Sequence, residues 1–231
     1  MVRRLIILAV AVVCLTSCAA AGSVGIERST KEYETDYSAV KAEVIAFTGM
    51  EDNEFEASVN DSIAKETESA IVGFDTDAAQ SAENVRMGNK CVFENIWQEK
   101  YNKNNFVSMV EERYVYLGGA HGQTVRMPLN IDTLANKEVK LADLFEDEGY
   151  VTTLNRMINK IISEDSEEYG DLWEKPEIKE SNQTDFYIED DELVIFYQPY
   201  DLSYYARGFV EFEFDLEDLS GYLKEEYRRL I

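Results

Sequence analysis

The sequence predicts an α+β fold of two small subdomains, each an antiparallel sheet packed by one or two helices. Three observations predict it. Apolar residues recur at helical spacing at Phe55, Val59, Ile63, Ala70, Ile71 and Phe74, and again at Tyr150, Leu154, Met157, Ile158 and Ile161. Each stripe is followed by runs rich in aromatic and β-branched residues, punctuated by Asn, Gly and Asp. The composition, 45% hydrophobic with 12% aromatic over 231 residues, supplies a packed core without disulfide staples.

The chain begins with an address. Arg3 and Arg4 form a positive n-region and Leu5 to Val13 an apolar run too short to span a bilayer. Leu15-Thr16-Ser17-Cys18 then resembles a bacterial lipobox. Residues 1–17 are therefore expected to be a lipoprotein signal peptide, with Cys18 the acylated residue. Residues 18–32 are small, polar and mixed in charge, and are expected to form a flexible tether. No later stretch approaches 18 consecutive apolar residues, so the rest is expected on one side of one membrane. With Cys14 removed and Cys18 lipidated, Cys91 is the only free thiol, and its apolar neighbours Val92 and Phe93 mark it as a small core residue.

Residues 33–125 form the expected N-terminal subdomain. Ala39 to Phe47 reads as a strand, and Asp52 or Asn53 caps the first helix, with Glu54 and Glu56 in its first turn. A polar stretch runs from Asp75 to Lys90. Cys91 to Tyr101 and Phe106 to Leu117 flank Asn102-Lys103-Asn104-Asn105 as a hairpin. After Gly118-Gly119-Ala120-His121-Gly122, alternation at Val125, Met127, Leu129 and Ile131 gives a strand that Pro128 confines to an edge or a bulge.

Residues 126–222 form the C-terminal subdomain, and 223–231 a helical tail. Leu141 to Phe145 is a short helical turn and Glu164 to Lys179 an acidic loop. Phe186-Tyr187-Ile188 and Leu193 to Tyr197 form a hairpin turning at Asp190-Asp191. The clearest strand has Val210, Phe212, Phe214 and Leu216 on one face and Glu211, Glu213, Asp215 and Glu217 on the other.

Function is bounded mostly by exclusion. A formal charge of −24, from 22 basic against 46 acidic residues, opposes binding to a phosphate backbone. One His and three Cys leave little for a zinc site, and no cofactor is expected. The loop Asp165 to Asp171 resembles an EF-hand only superficially, because Tyr169 sits at a ligand position and Pro176 where the bidentate Glu belongs. Asn60-Asp61-Ser62 and Asn182-Gln183-Thr184 match the glycosylation triplet without consequence in a bacterial lipoprotein. His121 is the only imidazole and no nucleophile motif accompanies it, so no enzyme is expected. The glycines around it suit either a backbone anion nest or a bend that needs positive φ. The segment Phe196 to Gly208 carries four tyrosines and Arg207, a composition that suits a binding surface or a plug at the sheet end.

Four blocks also carry a family resemblance. They are Tyr116 to Gly122, Leu141-Ala142-Asp143-Leu144-Phe145, Phe186 to Leu193 and Tyr200 to Gly208. Over roughly residues 33 to 222 they resemble a bacterial domain pair found in the extracellular half of the lysozyme-sensing anti-sigma factor RsiV and ahead of the deacetylase domain of the peptidoglycan deacetylase PdaC. The resemblance implies an extracytoplasmic binding module, with lysozyme as the defined partner type. The transmembrane and sigma-binding parts and the deacetylase domain have no counterpart in the sequence, so neither activity is expected to carry over.

Candidate partner-binding residues are accordingly Tyr200, Tyr204, Tyr205, Arg207, Gly118, Gly119 and His121. The expected partner is a cell-envelope protein, lysozyme or another cationic cell-wall hydrolase, drawn by the carboxylates. The alternative is a peptidoglycan or carbohydrate ligand stacked on the tyrosines.

Overall fold

Strand β1 (Gly25–Glu34) opens the described part of the chain, which in this computed structural model comprises residues 20–81, 90–178 and 185–231. It pairs antiparallel with β2 (Ser38–Thr48) along its full length, from Gly25 opposite Thr48 to Glu34 opposite Ala39. This corrects the expected tether, whose last eight residues are strand. A tether and an edge strand share a polar composition: β1 is hydrogen-bonded on one side, and most of its side chains are half or fully exposed. Cys18 lies outside the described residues.

Helix α1 (Asn53–Ser81) follows. Asp52 is its cap, since Oδ1 accepts from the backbone N–H groups of Glu54 at 3.0 Å and Phe55 at 2.9 Å. The helix continues about two turns past Phe74 because Ala78 buries its methyl completely within a mostly polar segment. It is a crossover: β3 (Cys91–Lys103) returns parallel to β2, with Ser38 opposite Cys91 and Ala42 opposite Asn95. The sheet is therefore mixed. β4 (Phe106–Tyr116), β5 (Gln123–Asp132) and the two-residue β6 (Lys137–Glu138) complete the order β1-β2-β3-β4-β5-β6. Asn104 (φ 55°) and Asn105 (φ 56°) form the turn between β3 and β4, the paired left-handed conformation of a type I′ hairpin. β6 meets β5 only at Ile131 and Asp132, which leaves Pro128 on an edge, where its missing N–H costs no ladder bond.

A turn at Leu141–Leu144 and helix α2 (Gly149–Glu164) match the second helical pattern. The acidic loop holds one more turn, α3 (Ser166–Tyr169). β7 (Phe186–Glu189), β8 (Glu192–Tyr197) and β9 (Val210–Asp215) make an antiparallel three-stranded sheet in that order. The tail forms a 3₁₀ segment (Glu225–Leu230) whose Tyr227 and Leu230 are fully buried.

The chain divides into two compact units. One holds residues up to Gln98 with Glu111–Arg126, the other Glu99–Val110 with Met127–Ile231, so β3, β4 and β5 supply residues to both. In the first unit α1 lays Ile71, Phe74 and Ala78 on Val40, Ala42 and Phe93, with the Phe74 and Phe93 rings 5.7 Å apart. In the second, Phe186, Ile195, Phe212 and Phe214 face α2 residues Leu154 and Ile158 in one core. The other face of the three-stranded sheet buries Tyr187, Val194 and Phe196 against Val110 and Phe209.

Candidate functional site

The loop from Gln198 to Gly208 joins β8 to β9 and is held from both ends. Asp201 closes its first turn, its carboxylate accepting from Gln198 N–H at 2.9 Å while its own N–H donates to the Gln198 carbonyl at 3.0 Å. Tyr200 sits at φ 77°, a conformation costly for a bulky side chain and held here by the closed turn. Leu202 and Ser203 are buried and pin the middle of the loop. A 3₁₀ turn at Tyr205–Arg207 then ends on Gly208 at φ 82°.

The segment after α3 runs alongside. Trp173 N–H donates to the Leu202 carbonyl at 3.0 Å, and Ser203 Oγ donates to the Asp171 carbonyl at 3.4 Å. Arg207 fastens the two segments. Its guanidinium, 13% exposed, pairs with the Asp171 carboxylate, with Glu168 at 3.0 Å and with the Glu168 carbonyl at 2.6 Å. It also lies 5.9 Å from the centroid of Tyr169, which stacks on Phe212. Asp165 caps α3 by accepting from Glu168 N–H, so three acids of the EF-hand-like stretch have internal duties.

The outcome is a set of exposed rings on two hydrogen-bonded segments. Trp173 is 55% exposed, Tyr204 51% and Tyr200 49%, while Tyr205 is half-buried with its centroid 5.5 Å from that of Tyr200. The hydroxyl of Tyr204 bonds Asp171, which raises its pKa above the ordinary phenol value. Tyr197 is the ring that plugs the sheet end; it is buried, and burial pushes its phenol up. Asp185, at the start of β7, is raised to about 6 by burial and secondarily by the charge of Asp201. Sequence reasoning missed Trp173: an isolated Trp in an acidic loop carries no periodic signal, and only the bond to Leu202 brings it to the tyrosines.

The structure brings Tyr200, Tyr204, Tyr205 and Arg207 together in the second unit, whereas Gly118, Gly119 and His121 belong to the first. Gly118 has φ 89°, the positive value expected at the bend. His121 is exposed, with Nδ1 2.8 Å from the carbonyl oxygen of Gly122. Gly122 is fixed by packing: a Cβ there would stand 2.3 Å from the Tyr114 ring. Cys91 is buried, and burial raises its thiol pKa. Among the described residues, no group of three or more His, Cys, Asp or Glu is placed to hold a metal ion, and no helix is long and apolar enough to cross a membrane.

A second surface lies on β8 and β9. Glu192 stands opposite Asp215 and Val194 opposite Glu213, which puts three exposed carboxylates on adjoining positions. Burial first, then the charges of Glu213, Asp215, Glu189 and Asp190, raises the Glu192 pKa. Among the described residues no Lys or Arg pairs with Glu192, Glu213 or Asp215, whereas Glu189 holds Lys100 at 2.8 Å. Beside this face, a cleft of about 390 Å³ is lined by Tyr169, Arg207, Phe209, Glu211 and Glu213.

Comparison with known proteins places this architecture. Residues 31–124 match the family described as Deacetylase PdaC, and residues 142–217 match a protein family of unknown function, DUF3298. The peptidoglycan-N-acetylmuramic acid deacetylase PdaC of Bacillus subtilis (strain 168) is 28% identical over 125 residues, covering 52% of this chain and 27% of that protein. The chain thus spans about a quarter of the length of this relative. A DUF3298 family member from Bacteroides fragilis NCTC 9343 superposes with a TM-score of 0.67 at 18% identity, over 91% of this chain and 97% of that one. Another from Pseudomonas aeruginosa PAO1 gives 0.64 at 13% identity, over 88% and 96%. At those identities the likeness is one of fold. The chain thus matches, in order, the PdaC family and the DUF3298 family, each over less than half of its length.

Proposed function

We propose that this chain is a non-enzymatic, extracytoplasmic lipoprotein that acts as a binding module for a cationic partner in the cell envelope, with lysozyme or a similar cell-wall hydrolase the sharpest candidate. The observation that carries the reading is the face of Glu192, Glu213 and Asp215, which no Lys or Arg pairs among the described residues, in a chain of formal charge −24. Such a face steers a basic protein and raises its association rate. Relatedness to a peptidoglycan deacetylase supports an envelope location, and the lipobox at Cys18 supplies the anchor.

The test is lysozyme binding to the full chain held in detergent, followed in real time at low and at physiological ionic strength. Binding is expected at both, with association slowed about tenfold by Glu213→Gln with Asp215→Asn at low salt. No binding even at low ionic strength removes lysozyme as the partner. Binding with unchanged association in the double variant removes the carboxylate face as its basis.

A further inference from the structure

The ring cluster beside Arg207 differs from the carboxylate face in the way its charges are used. Asp171 and Glu168, the acids bound within it, are both taken by Arg207, and Asp171 also holds the Tyr204 hydroxyl. A cationic protein gains most from carboxylates without a basic partner, such as Glu192, Glu213 and Asp215, which no Lys or Arg pairs among the described residues. The cluster instead offers three half-exposed aromatic faces next to paired donors and acceptors, on segments zipped by the Trp173–Leu202 and Ser203–Asp171 bonds. Exposed rings in a rigid setting lose little side-chain entropy on binding, and their apolar faces remain in water until something covers them.

The chemistry that fits is an uncharged ligand with an apolar face and a polar rim. A pyranose ring is such a ligand: its axial C–H groups pack on an aromatic face while its equatorial hydroxyls meet donors and acceptors at the edge. The geometry points to a glycan-binding surface formed by Trp173, Tyr200 and Tyr204, with Arg207 as a positioning residue and the sugar rings of a glycan chain as ligand. This is a second ligand class at a different surface from the partner proposed above.

The probe is a soluble N-acetylglucosamine hexasaccharide, titrated calorimetrically into the full chain in detergent, with a lysine hexapeptide as the contrasting arm. Tryptophan emission gives a second readout, because Trp97 is 8% exposed and Trp173 55% exposed, so covering the cluster shifts the exposed component to the blue. Saturable saccharide binding is expected, weakened about tenfold or more by Trp173→Ala and by Tyr204→Ala. Trp173→Phe, which keeps a ring, is expected to retain much of it, and Glu213→Gln with Asp215→Asn to change nothing. Circular dichroism establishes that each variant is folded. Absence of saccharide binding at millimolar concentration, full binding by a folded Trp173→Ala variant, or a blue shift with the lysine peptide and not the saccharide each overturns the proposal.

Discussion

Replacing Arg113 with Met tests the buried charge network of the first unit. Glu111 is 2% exposed, and its carboxylate accepts from Arg113 Nε at 3.0 Å, from Arg113 Nη2 at 3.0 Å and from Asn95 Nδ2 at 2.8 Å. Arg113 reaches on to Glu66 on α1 at 2.6 Å, but that carboxylate is 52% exposed and adds less than about 1 kcal/mol. Arg113→Met keeps the apolar stem and removes both charged donors from Glu111, so a cost of about 3–5 kcal/mol is expected at neutral pH. Burial, opposed by Arg113, already holds Glu111 above the ordinary carboxylate range. A carboxyl raised in the folded state stabilises fully below its unfolded value, and that stability is lost as pH climbs through the folded value. Loss of Arg113 raises the folded value further, so the variant suffers less at pH 5 than at pH 7. The assay is urea unfolding of wild type, Arg113→Met and Glu111→Gln with Arg113→Met at both pH values. The double variant recovers most of the loss at pH 7. A cost below about 1 kcal/mol, an equal cost at the two pH values, or no recovery refutes the reasoning.

Three further outcomes are expected. Gly122→Ala drives a methyl into the Tyr114 ring and lowers the melting temperature by several degrees, a loss that Tyr114→Ser in the same chain partly restores in a thermal scan. Asn105→Gly at the second turn position (φ 56°) is neutral or stabilising by up to about 1 kcal/mol, whereas Asn105→Val destabilises by at least about 1 kcal/mol in urea titration. Asp185, raised to about 6 from 3.8, makes wild-type stability fall as pH rises from about 4 to about 6. Asp185→Asn flattens that part of the stability–pH profile; an unchanged profile contradicts the assignment.

Period-two and period-3.6 patterns make β3, β9 and both long helices readable, because each buries one face, whereas β4 and β8, buried on both faces along most or half of their length, are readable as aromatic and β-branched runs. β1 was hidden because an edge strand half-exposed on both faces keeps a linker's composition, with Ile26 and Tyr33 its larger apolar contributors. The parallel pairing of β2 with β3 was equally hidden. Strand patterns report which face is buried and not which way the neighbour runs. The end of α1 was obscured because Ala78 is the only fully buried apolar side chain among mostly polar neighbours there. At the candidate site the tyrosines were legible by density alone. The use of Arg207 as an internal clasp was not, since its partners Glu168 and Asp171 lie more than thirty positions away in the chain.

Both flanks of the three-stranded sheet are occupied by side chains. On β7, Asn130 Nδ2 donates to the Phe186 carbonyl at 2.9 Å and Ile188 N–H donates to Ser108 Oγ at 3.0 Å. On β9, the Tyr169 hydroxyl donates to the Glu211 carbonyl at 3.0 Å. A visiting polypeptide therefore finds no open backbone rail at these positions on which to lie as a fourth strand. At these positions a visiting protein meets side chains in place of free backbone groups.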